Sequence, residues 1–212
     1  MPRHNVNKGD GSELVIYVPV KSQLDVRVIS TDLFFKGIEG GIDANLVSGD
    51  AEVINSRKRV SISSVSGDIE IIKSTGKMRL NSVSGDIRGT FTSSEVSAET
   101  VSGDVRFELA EFDSLLASSV SGDVEISGQL NDGGKLKLET VNGDISLSFK
   151  DAVNARASIR VGPGGNIRNN MSDDKVIDVF PHQQKLNMTL GTGSGKMKIG
   201  TVNGSITLNG NN

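Results

Sequence analysis

The stretch Thr100–Leu109, TVSGDVRFEL, carries a phrase on which most of the chain is built. Close copies stand at 46–53 (LVSGDAEV), 64–71 (SVSGDIEI), 82–89 (SVSGDIRG), 119–126 (SVSGDVEI), 140–147 (TVNGDISL) and 201–208 (TVNGSITL). Repeats of fixed period come before any other reading, because missing one misassigns the whole fold. The phrase valines Val47, Val65, Val83, Val101, Val120 and Val141 follow one another at intervals of 18, 18, 18, 19 and 21 residues, and Val202 closes the series.

Other apolar residues keep the same step. After Val65 they fall at Ile69, Ile71, Met78 and Leu80; after Val47 the same offsets give Ala51, Val53, Val60 and Ile62. After Val83 they give Ile87, Gly89, Val96 and Ala98. Starting from Ile29, the register predicts Leu33, Phe35, Ile42 and Ala44; from Gly11 it predicts Val15, Tyr17, Leu24 and Val26. Starting from Gln184, it predicts Met188, Leu190, Met197 and Ile199. Each pair of inward residues alternates with period two, so every repeat holds two short strands.

Fixed spacing with a fixed inward pattern is what stacked coils require, since each must sit on the last. The expected fold is all-β: a right-handed, single-stranded parallel β-helix (β-solenoid) with coils of about 18 residues, flattened or triangular in section. The sequence reads as one domain over 1–212, of about ten coils. Coils are regular over about 11–149, irregular or interrupted over 150–185, and resume over 186–212. In the irregular part NARASIRV keeps strand alternation, and Gly165 stands where the phrase would place its glycine. The pattern is already running by residue 11, so the natural chain is expected to begin earlier.

Composition narrows the function classes. The 212 residues carry 23 Lys and Arg against 26 Asp and Glu, interspersed, with a formal net charge of −3, so no nucleic-acid footprint is expected. The absence of cysteine excludes disulfides and thiolate metal sites. Aromatics make up only 4%, which suits a thin aliphatic core. No apolar run is long enough to span a bilayer as a helix.

Within the phrase, the valine is expected to point inward. The glycines Gly49, Gly67, Gly85, Gly103, Gly122, Gly143 and Gly204 would permit a corner with positive φ. The aspartate would accept backbone N–H bonds there. Stacking would place Asp32 with Asp50, Asp68, Asp86, Asp104, Asp123 and Asp144 in one column, a ladder of turn caps or a candidate ligand or cation ladder. Carboxylates about 4.8 Å apart repel by roughly 1 kcal/mol in water, so the column needs donors or cations. The calcium-binding runs-in-toxin repeat has doubled glycines that are absent here, and Arg59, Lys77, Lys135 and Lys196 stand where its second aspartate would sit. These bases suggest a second edge of opposite character.

On the other outward face, Glu52, Glu70, Arg88, Arg106 and Glu125 should form a column, with Phe34 turned out beside inward Phe35. LGTGSGKMKIG lacks the first glycine and the terminal Ser or Thr of a phosphate loop. His4 and His182 lack ligand spacing. No metal site, cofactor or catalytic set is therefore expected.

The VSGD phrase, with GPGG at 162–165 and GTGSGKMKIGTVNGSITL at 191–208, resembles a bacterial family catalogued as adhesins of unknown function. The likeness runs from about Ile29 to Leu208. It implies a β-strand-repeat protein of the periplasm or cell surface, with no catalytic residues to carry over. The function expected is a non-enzymatic envelope scaffold, an adhesin-like module offering repeated surface ladders to an envelope protein, glycan or surface polymer. One alternative is a polysaccharide-active β-helix enzyme using Asp151, Asp173, Asp174 and His182 of the irregular region. Another is a self-assembling protein, a homo-oligomer joined through its coil ends or the Phe34 face.

Overall fold

The computed structural model describes residues 14–179 and 182–210; His4 and Gly11 lie outside them. Among the described residues every regular element is a strand. The long strands are β1 (Leu24–Ser30), β3 (Ile42–Ser48), β5 (Val60–Ser66), β7 (Lys77–Ser84), β9 (Glu95–Ser102), β11 (Phe112–Ser121) and β13 (Leu130–Asn142). The short ones alternate with them: β2 (Leu33–Lys36), β4 (Ala51–Ile54), β6 (Ile69–Ile72), β8 (Ile87–Phe91), β10 (Val105–Leu109), β12 (Val124–Gly128) and β14 (Ile145–Phe149). The remainder are β15 (Ala155–Val161), β16 (Ile167–Asn170), β17 (Ile177–Val179), β18 (Gln183–Leu190), β19 (Gly195–Asn203) and β20 (Ile206–Gly210).

Each coil contributes one long and one short strand, and the two kinds gather into two sheets facing each other across the core. Through β14 every pairing is parallel, with Ile62↔Leu80↔Ala98↔Ala117↔Leu138 in one row, and the register shifts between Phe112 and Ser114 where β11 meets β13. This is the β-solenoid the phrase predicts. Seven coils follow one another through β14, and two more strand pairs bring the layers to nine among the described residues, against the ten expected. At about 4.8 Å per layer the stack is roughly 40 Å long.

The core is thin and aliphatic. In a typical coil Ile69, Ile71, Met78 and Leu80 are buried, two from each sheet. Where Gly89 leaves a gap in this pattern, the Phe91 ring fills it and meets Phe107 edge-on, with centroids 5.3 Å apart. Inward offsets therefore fall where the spacing puts them through the middle of the stack, and depart from it at the ends. Val15 and Tyr17 lie in no strand and are exposed, so the first strand of the coil predicted from Gly11 is not formed in the described residues. Leu24 and Val26, in the edge strand β1, are only half-buried.

The C-terminal end departs from sequential stacking. The long-strand sheet continues β13-β19-β15-β18-β17, and the short-strand sheet continues β14-β20-β16. The last coil in sequence is thus inserted beneath β15–β16, and TVNGSITL stacks directly on TVNGDISL: Thr140↔Thr201 and Ile145↔Ile206. β18 runs antiparallel to β15, with Met188 opposite Ala157, and β17 runs antiparallel to β18. Met188 and Leu190 therefore belong to a returning strand and not to the parallel coil expected from Gln184.

The chain crosses from β18 to β19 over Asn154. That side chain accepts from the Thr192 N–H at 3.1 Å and donates to Asp132 at 2.8 Å. Its carbonyl accepts from Gly195 N–H at 2.8 Å and the Ser194 hydroxyl at 3.2 Å. Gly191–Gly195 form this crossover, with positive φ at Gly191 and Gly193.

Candidate functional site: the phrase edge and a basic groove

The phrase corner is built from three ladders. In the first, each aspartate accepts at Oδ1 from the backbone N–H of the next layer's aspartate. Asp32 accepts from Asp50 at 2.9 Å, and Asp50, Asp68, Asp86, Asp104 and Asp123 repeat the bond at 2.8 Å up to Asp144. Asp144 ends the series by accepting from Ser205 N–H at 2.7 Å. The bond links coils instead of closing a local turn. Arg88 and Arg106 reach the outer oxygens of Asp86 and Asp104. The column is therefore held by donors, which answers the repulsion argument. Among the described residues no group of three or more His, Cys, Asp or Glu is placed to share a metal ion.

In the second ladder the glycines stack so closely that a Cβ on Gly67, Gly85, Gly103, Gly122, Gly143 or Gly204 would lie 2.0–2.2 Å from the carbonyl oxygen of the glycine one layer back. Gly67 also needs a φ of 137°, which side chains rarely adopt. Gly165 takes its expected place, its Cβ position 2.2 Å from Gly204 O.

The third ladder corrects the valine. Val47, Val65, Val83, Val101, Val120, Val141 and Val202 are 39–50% exposed and point outward. The residue before each is the buried one: Leu46, Ser64, Ser82, Thr100, Ser119, Thr140 and Thr201. Thr100, Ser119, Thr140 and Thr201 donate their hydroxyls to the glycine carbonyl one layer back, at 3.0–3.2 Å. Sequence reasoning missed this ladder because the buried residues are polar. Period-two alternation from Met78 and Leu80 does reach Ser82, and that signal was available.

The faces follow the register. Glu52, Glu70, Arg88, Arg106 and Glu125 are aligned across the short-strand sheet, Arg106 pairing with Glu125 at 3.5 Å, and Phe34 is 60% exposed at the end of that row. The predicted basic edge is real but broken: Lys77 pairs with Glu95 at 2.6 Å, and Ser114 separates that pair from Lys135 and Lys196. The hydrogen bond and charge of Lys77 hold the Glu95 carboxyl below its ordinary pKa.

Asp151, Asp173, Asp174 and His182 are not joined by any hydrogen bond or ion pair among the described residues. Asp151 follows β14 and bonds Gln129 through its N–H. Asp173 and Asp174 lie between β16 and β17, where Asp174 accepts from Ser172, and His182 precedes β18.

The non-sequential strand order creates a site that spacing could not show. On the outer face of the long-strand sheet, Lys135, Lys196 and Arg156 share one row, Lys137 and Lys198 the next, and Arg160 and Lys185 a third. Where these rows cross β13, β19, β15 and β18, the one acid is Glu139, paired with Lys137 at 2.7 Å and Lys198 at 3.0 Å. Burial pushes the Glu139 pKa up, but hydrogen bonds and charge from both lysines outweigh it and leave the carboxyl below its ordinary value. Lys135, Lys185, Lys196, Arg156 and Arg160 make no ion pair among the described residues. Arg156, Arg160, Lys196 and Lys198 line a groove of about 1330 Å³ with Ser158, Asn187 and Thr189.

A stack of parallel coils with a continuous ladder edge and a charged groove at one end defines the class: a β-solenoid. The family model described as Toastrack DUF4097 matches residues 2–209, and the chain belongs to that family. No curated protein and no solved structure matches the chain.

Proposed function

We propose that the chain is a non-enzymatic binding scaffold of the bacterial cell envelope, at the periplasm or cell surface, that presents its ladders to a repeating partner. The observation that carries this is the in-register stack. Side chains on the outer face of the long-strand sheet recur about every 4.8 Å over several layers, a lattice suited to a polymer or a repeated protein surface. The resemblance of the VSGD phrase to envelope adhesins supports the location. Co-sedimentation of the purified protein with isolated cell-wall sacculi and with surface polysaccharide tests the reading. Saturable binding without release of reducing ends is expected; cleavage of the polymer would favour the polysaccharide-active reading, and no binding to any envelope polymer would contradict the proposal.

A second reading, self-association, is favoured by one place only. Ile29 on β1 and Phe34 on β2 are exposed on the strands that end the two sheets among the described residues, and Leu14, Val15, Ile16 and Tyr17, which precede β1 in the chain, are exposed as well. Open edges of this kind template pairing with a second chain. A mass by light scattering that rises with concentration, and stays monomeric in Phe34→Lys, would support it.

A further inference from the structure

We propose that the groove on β13, β19, β15 and β18 is a binding site for a linear polyanion bearing regularly spaced carboxylate or phosphate groups. This deepens the scaffold reading and rests on it. Seven of the chain's 23 lysines and arginines share the outward rows of these four strands with a single acid, in a chain whose net charge is −3. Such crowding opposes itself. Neighbouring strands place Lys135, Lys196 and Arg156 about one strand spacing apart in a single row, so like charges repel unless an anion lies among them.

The spacing also describes the ligand. Cations recur at about 4.8 Å across the strands and about 6.6 Å along them, a grid that meets successive charges of an extended polymer better than one compact anion. Ser158, Asn187 and Thr189 add hydrogen-bonding groups between the charges, and Val120, Val141 and Val202 border the groove. Asp174 also lines it, already accepting from Ser172. Among the described residues the lining holds no aromatic ring of the kind that proteins stack against single-stranded bases. Recognition falls to the charged backbone of the ligand, and affinity should drop steeply with salt.

The test uses the whole chain, polygalacturonate as the carboxylate polymer, polyphosphate as the phosphate polymer, and neutral dextran, with isolated sacculi run alongside. Two variants carry the same charge change: Lys196→Glu with Lys198→Glu in the groove, and Lys21→Glu with Lys58→Glu outside it. Unaltered melting of both establishes folding; if the groove pair fails to fold, Arg156→Gln with Arg160→Gln replaces it. Saturable binding of one charged polymer is expected at low salt, weakened on the order of tenfold by the groove pair and unchanged by the distal pair. Which polymer binds assigns carboxylate or phosphate. Equal weakening by both pairs would overturn the site, as would preference for single-stranded DNA of matched charge. Failure of both polyanions with sacculi still bound would overturn the groove and leave the scaffold standing. Failure with sacculi as well would remove both.

Discussion

One hydroxyl per coil shows how finely the corner is made. Ser119 is buried and donates to Gly103 O at 3.0 Å, while Ser82 and Ser64, at the same place two and three layers away, have buried hydroxyls with no partner. A satisfied buried hydrogen bond contributes about 1 kcal/mol, whereas an unsatisfied hydroxyl only carries a desolvation cost. The same substitution should therefore act in opposite ways. Ser119→Ala is expected to lower stability by about 1 kcal/mol in urea unfolding, and Ser82→Ala to leave it unchanged or raise it. Equal losses in both would show that these hydroxyls are not distinguished by their bonds. The aspartate one step beyond the phrase glycine works on the opposite side of the corner. Its carboxylate replaces the carbonyl that an ordinary ladder would offer the next N–H, as Asp86 does for Asp104.

At the scale of strands and corners, the glycine ladder sets the distance between coils. Gly103→Ala would press a methyl to 2.2 Å from Gly85 O, and the atoms that it meets are all backbone, which leaves little room to yield. Gly133 also has positive φ, 75°, but a Cβ there meets nothing within 4 Å. Gly103→Ala should cost about 3 kcal/mol or more, and Gly133→Ala about 1 kcal/mol from backbone strain alone. Chemical denaturation of the two variants compares them directly. These elements also show what could be read beforehand. Ile69, Ile71, Met78 and Leu80 announce two strands per coil because burial is their whole contribution. The valine was misread because hydrophobicity outranked alternation: Val83 is the more apolar residue, yet Ser82 occupies the inward position and Val83 faces out. The Asp and Gly columns were legible as columns. Their inter-coil bonds were not, since they depend on how the next layer sits.

Over the whole molecule, strand order replaces strand spacing as the governing fact. Counting residues places the Lys150–Lys185 region next in the stack, but the chain folds past that layer, returns antiparallel in β18 and closes the gap with β19–β20. A trace of this is present in the sequence, where KLKLETVNG (135–143) and KMKIGTVNG (196–204) match too well to be strangers, and they pair in register. That insertion brings four lysines onto adjacent strands and sets Arg156 and Arg160 beside them, so the groove exists only because the order is not sequential.

The chain has no cysteine, which allows the order to be measured by paired substitutions. Lys137 lies opposite Lys198 on the next strand, and Lys198 in turn lies opposite Ser158. Adjacent strands bring Cα atoms within disulfide reach, and two layers do not. Under mild oxidation, Lys137→Cys with Lys198→Cys should form an intramolecular disulfide, and Lys137→Cys with Ser158→Cys should not. The reverse pattern would mean that the coils stack in sequence order, and both the inserted layer and the groove built on it would be wrong.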